Sequence, residues 1–567
     1  MTPPAISTTV PYQFFGINAP ERPQRLGIVV SGSLSEGLDV KLDRETFTEG
    51  LAVGSYITIQ GQTERKFFGL ITDIKLESAD RNTRTNPPAL DNKLMTQIYT
   101  GTAVFGMLHI QPMLTLEKDG TLRPVKTVPT HFTVVYRATS SEVRQIFSSE
   151  IASVETTDPH TYRIGSSLED EKLEININLD KLMERSTAVF GRSGTGKTFL
   201  TVPLLASAIK QEVASALIFD MHNDYGANLK ADRNRAVPSL KRLPAISRKV
   251  VVVTLDEKSS RTRGSNPEFA MQIGYEHITP EDLESLKKIL TLSDVQTNAL
   301  FTFKQRFPKD WLNKIMADDA DQDIKNLFDG NKITESTYFA IQRKLGRLLS
   351  KLEFLRERTT EDFAQRILGH LTRGDSVVVE FGRYGNDLPA YIFVANYLTR
   401  RIHERYVELK EMYEGGSGAN PNRLVIVIEE AHKFLEPEVA QHTIFGVIAR
   451  ELRKYNVTLL IVDQRPSQID SEVMSQIGTR ITCALSDERD IGAVFTGIGG
   501  AQQLRGVLAA LDSKQQALVM GHAVPMPVVV RTTDYETAIQ PLQLDIPTMS
   551  NVANPKGFRG DDDGLVS

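Results

Sequence analysis

Cysteine is nearly missing from this chain: there is one, Cys483, in 567 residues. A single thiol excludes an internal disulfide framework and a cysteine-based zinc site, and it fits a reducing compartment. A surplus of positive charge is missing too. Lys and Arg number 66 against 71 Asp and Glu, a net charge of −5. The overall balance therefore does not advertise nucleic acid, and any such contact has to be local, as in a channel. No run of about eighteen apolar residues occurs, so there is no candidate membrane-spanning helix, and Met1 to Pro20 lacks the charged start and apolar stretch of a secretory leader. The expectation is a cytoplasmic protein without a membrane segment. The length exceeds what one compact core holds, which points to several domains or one large domain with insertions.

What the chain does contain is Gly191-Arg192-Ser193-Gly194-Thr195-Gly196-Lys197-Thr198, a phosphate-loop pattern without a mismatch. The apolar run Thr187 to Phe190 reads as the strand that must precede such a loop, and the Leu- and Ala-rich stretch Phe199 to Ile209 as the helix that must follow. Glycines let the backbone curl until several N–H groups face one phosphate, and the positive end of the helix adds to the attraction. Lys197 is placed to reach the β- and γ-phosphates, and the Thr198 hydroxyl to take a position on Mg²⁺.

Upstream, Met1 to Pro23 is Pro- and Thr-rich and reads as an extended arm. From Leu26 to about Val135, short alternating apolar runs separated by glycines have the spacing of a small antiparallel barrel, with Arg81 to Lys93 as a long hairpin loop. A barrel removes sheet edges and serves as a docking collar. Downstream of the phosphate loop, continuous apolar runs at 216–219, 250–253, 377–379, 424–428 and 459–462 alternate with helical stretches, as in a parallel sheet covered on both faces.

Between about Glu276 and Gly374 the period becomes helical. Thr279-Pro280-Glu281-Asp282 has the form of a capped helix start, and Tyr338, Ile341, Leu345, Leu348, Leu349, Leu352 and Leu355 put one apolar stripe on a long helix. Such stripes read as core. Gln516 to Met520 and Val528 to Thr532 read as edge strands, and the tail, with its Asp561-Asp562-Asp563 run, as extended.

In an open parallel sheet, ligands sit beyond the carboxyl ends of the strands. Four strand ends here carry polar groups: the phosphate loop, Asp220, the Glu429-Glu430 pair, and Gln464. Glu429 suits a Mg²⁺ position, Glu430 the activation of the water that attacks the γ-phosphate, and Gln464 the sensing of that phosphate. Charge developing on the phosphate oxygens calls for a further cation, and Arg453, acting from a neighbouring subunit, is a candidate. Solvation of a helix end accounts for it equally well. Lys230, Arg233, Arg235, Lys241 and Arg242 form a candidate DNA-binding pore loop, and a solvated loop fits the same residues.

These motifs, together with Ile428 to His432 and Arg453-Lys454-Tyr455 followed by Gln464-Arg465-Pro466, resemble the HerA-type DNA translocases, hexameric ATPases related to the FtsK pumps. The resemblance implies an α/β fold: a RecA-like P-loop NTPase core in two parts (166–275 and 375–540), an N-terminal β-barrel (24–165), an inserted helical subdomain (276–374), an arm (1–23) and a tail (541–567). It further implies a homo-hexamer threading double-stranded DNA, with ATP and Mg²⁺ between subunits.

By matching positions, Arg453 resembles the arginine that reaches a neighbour's site, Gln464 the γ-phosphate sensor, and Arg185 a further arginine of the site. Asp220 belongs with a motif that usually reads Asp-Pro-His-Gly-Glu-Tyr and here reads Asp220-Met221-His222-Asn223-Asp224-Tyr225. The implied partner is an effector docking on the barrel, either a NurA-type nuclease or an anti-phage nuclease or NAD-consuming enzyme. An ATP-regulated scaffold for such an effector, or a conjugation or secretion motor, are the alternative readings.

Overall fold

A computed structural model of the chain describes residues 23–544, apart from 63–64, 80, 86–98, 100–101, 153–159, 231–234, 331, 441–442 and 499–502. The expected arm, most of the tail, Arg233 and much of the Arg81 to Lys93 segment lie outside the described residues; Arg81–Thr85 is a short helix.

The alternating runs at the start form β1 (Arg25–Ser33), β2 (Gly37–Leu42), β3 (Tyr56–Gln60), β4 (Lys66–Ser78), β5 (Val104–Leu116), β6 (Leu122–Pro124) and β7 (Val134–Arg137). They pair in the order β2-β1-β7-β3-β4-β5-β6, and β2 also pairs with β5, closing six strands into a barrel. Inward residues such as Leu26, Val40, Ile57, Ile71 and Leu108 make its interior. Tyr56, Phe68, Leu70 and Leu114 instead join the main core, together with Val143, Ile146 and Phe147 of the helix Ser140–Ala152.

The core sheet comprises β8 (Thr161–Ser167), β9 (Glu174–Asn178), β10 (Thr187–Phe190) and β11 (Ser215–Asp220). A small hairpin, β12 (Asn228–Lys230) and β13 (Ala236–Pro238), stands apart, and the sheet resumes with β14 (Val250–Thr254) and β15 (Phe269–Ala270). Beyond the short pair β16 (Ile273–Gly274) and β17 (Leu355–Arg356) come β18 (Ser376–Glu380), β19 (Leu424–Glu429), β20 (Val457–Asp463), β21 (Thr479–Cys483), β22 (Gln516–Gly521) and β23 (Val528–Thr532). The order is β15-β14-β18-β11-β19-β20-β10-β21-β22-β23-β8-β9.

From β15 to β21 neighbours are parallel, and beyond β21 every pairing is antiparallel. The parallel strands β11, β14, β18, β19 and β20 are buried along their whole length. Val, Ile and Leu runs do this readily, because helices cover both faces and no residue has to meet water.

Two sequence expectations change. The barrel ends at Arg137, and Thr161–Ser167, of which the part up to Gly165 is expected within it, pairs with β23 in the core sheet. Consequently β22 and β23 are interior strands, covered by β8 and β9, and not edges. A half-buried alternating strand has the same sequence pattern in either sheet, so periodicity does not reveal its partner.

The inserted subdomain is helical as expected. Thr279 caps its first helix with the reciprocal bond from Asp282 in place. Asp282 is fully buried and binds Arg400 (2.8 Å) and Arg401 (3.0 Å) of the long helix Leu388–Glu414, tying the insertion to the core. The apolar stripe runs on the helix Glu335–Leu349, which stops sooner than expected; Leu352 and Leu355 are buried beyond its end.

Candidate active site

Sheet order decides which side chains meet. β10 lies between β20 and β21, and β19 is the next strand beyond β20. Loops leaving the carboxyl ends of β10, β19 and β20 therefore converge, and they line one cavity of about 730 Å³ that holds Ser193 to Thr198, Glu429, Glu430 and Gln464.

The phosphate loop is formed. Gly194 and Gly196 have φ of 79° and 93°, values a side chain would resist, and Gly196 caps the helix Lys197–Lys210. Gly191 has no room for a Cβ, which would lie 2.6 Å from Thr195 Oγ1 and 2.9 Å from Cys483 Cβ. Lys197 Nζ donates to the carbonyls of Gly191 (2.8 Å) and Arg192 (3.2 Å), both in its own loop. Burial lowers its ammonium pKa, and Glu430 foremost among nearby acids opposes that shift. Cys483 lines the same cavity, its thiol pushed up to about 11 by burial.

The two glutamates differ in setting. Glu429 ends β19 and is buried; its Oε1 accepts from the Tyr225 hydroxyl (3.1 Å), while Oε2 has no protein partner. Burial first, then the charges of Asp220 and Asp224, raise its carboxyl far above the ordinary carboxylate range. Glu430 stands at φ 49°, left-handed for a residue with a side chain, a geometry that costs energy and is kept only where neighbours enforce it. One neighbour is Gln464, whose Nε2 donates to Glu430 Oε1 at 2.7 Å. Behind this pair lies a clamp. Asp463 accepts from His432 N (2.7 Å), from Arg465 N (2.6 Å) and, at 3.0 Å, pairs with His432 Nδ1. It thus pins the turn carrying Glu430 to the turn carrying Gln464.

Other expected residues lie elsewhere. Asp220 does not line the cavity: it is fully buried, and its carboxylate accepts from the N–H groups of Asp224 (2.8 Å) and Tyr225 (2.9 Å), holding the turn that aims Tyr225 at Glu429. Burial pushes its pKa up to about 7 against the pull of those bonds. Arg185 precedes β10 and Lys197 follows it. A strand of four residues puts the two on opposite edges of the sheet, roughly 13 Å apart along the strand alone. Arg185 faces a second cleft instead, with Arg480, Ser475 and the barrel residues Leu34 and Gln111.

Arg453 sits in the turn Leu452–Tyr455, with its side chain outside the described residues. Of the proposed pore residues, Lys241 bonds Ser247 O, Val250 O and Glu268, Arg242 bonds Gly264 O, and Arg235 pairs with Glu536 at the rim of the nucleotide cavity. Lys230 is exposed on β12.

Sequence reasoning did not find Asp463 or the far wall of the cavity. Asp463 ends an apolar run next to Gln464 and so carried the strand-end signal. The far wall, from Tyr162, Phe199 and the segment Thr532–Glu536, had no local signal at all.

The fold and the site together define a P-loop ATPase. Residues 162–402 match the family described as "Helicase HerA, central domain". Similarity over most of the chain extends to proteins named DNA double-strand break repair helicase HerA. That of Sulfurisphaera tokodaii is 24% identical over 523 residues, 90% of this chain and 93% of its own. That of Sulfolobus acidocaldarius is 24% identical over 500 residues, 86% and 89%. The bacterial conjugative coupling protein TrwB aligns over 70% of this chain and 92% of its own at 10% identity, with a TM-score of 0.44. Its central part, residues 162–402, is thus similar to the central domain of the HerA helicases.

Proposed function

We propose that the chain is the motor subunit of an ATP-driven translocase or helicase acting on double-stranded DNA, assembled as a ring of six. One observation carries this reading: the phosphate loop, the Glu429–Glu430 pair and Gln464, far apart in the chain, line a single cavity. ATP is the ligand this arrangement fits. The loop amides and Lys197 hold the phosphates, and Glu430 takes the proton of the attacking water.

Thr198 and Glu429 are the residues that would hold Mg²⁺. The buried Glu429 Oε2 without a partner fits a cation, which supplies charge stabilisation at the phosphate oxygens when bound. Gln464, bonded to Glu430, is positioned to report the γ-phosphate to β20. Arg453 is assigned to the site of an adjacent subunit by its resemblance to the family's motif, and Arg185, which faces a cleft away from Lys197 in its own chain, is assigned there with it.

Similarity to the double-strand break repair helicases supports duplex DNA as the track. Lys230, with Arg233, is a candidate for its phosphates. The effector is a partner acting in trans, of the NurA-type nuclease class or an anti-phage nuclease or NAD-consuming enzyme. The barrel is its dock, where Phe47, Leu76 and Phe132 are exposed.

The test is ATP hydrolysis by the purified chain with and without duplex DNA: hydrolysis stimulated by DNA is expected, and none in either condition refutes the proposal. Glu430→Gln is expected to bind ATP and assemble while turnover falls by about 100-fold or more. Full effector activation by that variant would favour a scaffold over a motor.

A further inference from the structure

A triphosphate in this cavity has a direction. Glu430 and Gln464 mark the γ end, so the nucleoside has to lie toward the opposite wall. That wall differs in character from the phosphate end. Phe199, in the first turn of the helix after Lys197, and Tyr535, at the start of the helix Tyr535–Ile539, are each half-buried and line the cavity, as does Tyr162 of β8. The Tyr535 ring stands edge-on to Phe199, centroids 5.1 Å apart at 89°, and its hydroxyl donates to Pro238 O at 2.7 Å. Held at both ends, it has little rotamer freedom left to lose on binding. Beside the rings run Gln515 and the polar stretch Thr532 to Asp534.

We infer that this wall is the nucleoside subsite of the ATP cavity: the purine base packs on the Phe199–Tyr535 pair, and the ribose hydroxyls face Thr532 to Asp534. The inference rests on the cavity being an ATP site and adds where the base lies. Flat aromatic faces with a polar margin are what a base and its sugar require, and a purine fills them without any charge to desolvate. The wall is drawn from opposite ends of the core's sequence: β8 and β23 are antiparallel partners more than three hundred residues apart, joined through Thr532 and Gly165. The Arg235–Glu536 ion pair at the rim ties the β12–β13 hairpin to the same wall. Arg235 is thereby given to the nucleotide and withdrawn from the DNA.

The experiment uses the full chain and two ligands, ATP and inorganic tripolyphosphate. Tyr535→Ala is expected to raise the KM for ATP about tenfold, the loss of one aromatic contact, with kcat within about twofold of the parent. The inhibition constant of tripolyphosphate, which has no base, should move less than about twofold, and Tyr535→Phe, which keeps the ring, should stay near the parent. An unchanged KM in Tyr535→Ala, or equal weakening of ATP and tripolyphosphate, overturns the subsite. Should Tyr535→Ala fail to fold, photolabelling of the unaltered chain with 8-azido-ATP decides. Label on peptides holding Phe199, Gln515 or Tyr535 supports the assignment, and label confined to other peptides overturns it. Lys197→Ala separates the two levels of the argument. If it abolishes binding of both ligands while Tyr535→Ala changes nothing, the site stands and the base placement falls; if it abolishes neither, the nucleotide reading itself falls.

Discussion

The Asp463 clamp offers the sharpest test of how this site is held. Asp463 is fully buried, and its carboxylate serves three donors: His432 N, Arg465 N and the His432 ring. Asn has the same size but only one acceptor oxygen. In Asp463→Asn the new amide has to face an N–H, and a buried donor goes unsatisfied at a cost of about 1–3 kcal/mol. Losing the charge from the remaining bonds adds roughly 1–2 kcal/mol. Because the group is buried, solvent does not soften this loss, and the variant should be about 2–5 kcal/mol less stable by denaturant unfolding.

The larger effect is on chemistry. The clamp fixes the distance between the turns bearing Glu430 and Gln464, whose own contact is 2.7 Å. A displacement of about 1 Å at that pair is worth roughly 100-fold in rate. In steady-state ATPase assays kcat should fall by about that factor, and KM by no more than about threefold either way, because the phosphate loop is untouched. An Asp463→Asn protein that is destabilised but turns over at the parental rate would refute the clamp as a positioning device. A large rise in KM would show that the disturbance reaches the phosphate loop instead.

The same pair predicts a pH dependence. Hydrogen bonding to Asp463 raises the His432 pKa above its ordinary 6.5. The stability this contributes is complete below 6.5 and disappears as pH rises through the raised value; unfolding midpoints measured across that window should decline more steeply than in His432→Gln. Asp282→Asn weakens the anchor of two guanidiniums that are 19% and 15% exposed, and loosening such a partly buried pairing should cost about 3 kcal/mol, measured by denaturant unfolding, with kcat little changed. Gly191→Ala forces a methyl group within 2.6 Å of Thr195 Oγ1 and 2.9 Å of Cys483 Cβ, so it should lose about 1–3 kcal/mol and bind ATP more weakly in equilibrium titration.

The residues that could be read from the sequence share one property: their meaning is local. A phosphate loop is a turn whose glycines, lysine and hydroxyl act within eight consecutive positions, and the structure forms it with Gly194 and Gly196 at positive φ. Glu429, Glu430 and Gln464 were legible because each ends an apolar run, and parallel strands deliver all such ends to the same edge of the sheet. That rule also explains its own failures. Asp220 ends its strand in the same way, but β18 and β19 flank β11, and its carboxylate is consumed by the following turn. Arg185 stands only a dozen positions before Lys197, yet a whole strand crosses the sheet between them, so closeness in sequence means separation in space.

The nucleoside wall fails for a different reason. In the parallel half of the sheet a strand's neighbours can be inferred from the helical crossovers; in the antiparallel half, β8 joins β23 by register between distant segments, and no pattern within Tyr162 or Tyr535's own stretch announces it. The chemistry of phosphate transfer is thus written strand by strand, while the wall beyond it depends on which strands pair, and a mutation such as one at Thr532 would reach the nucleotide through a contact that only the folded sheet creates.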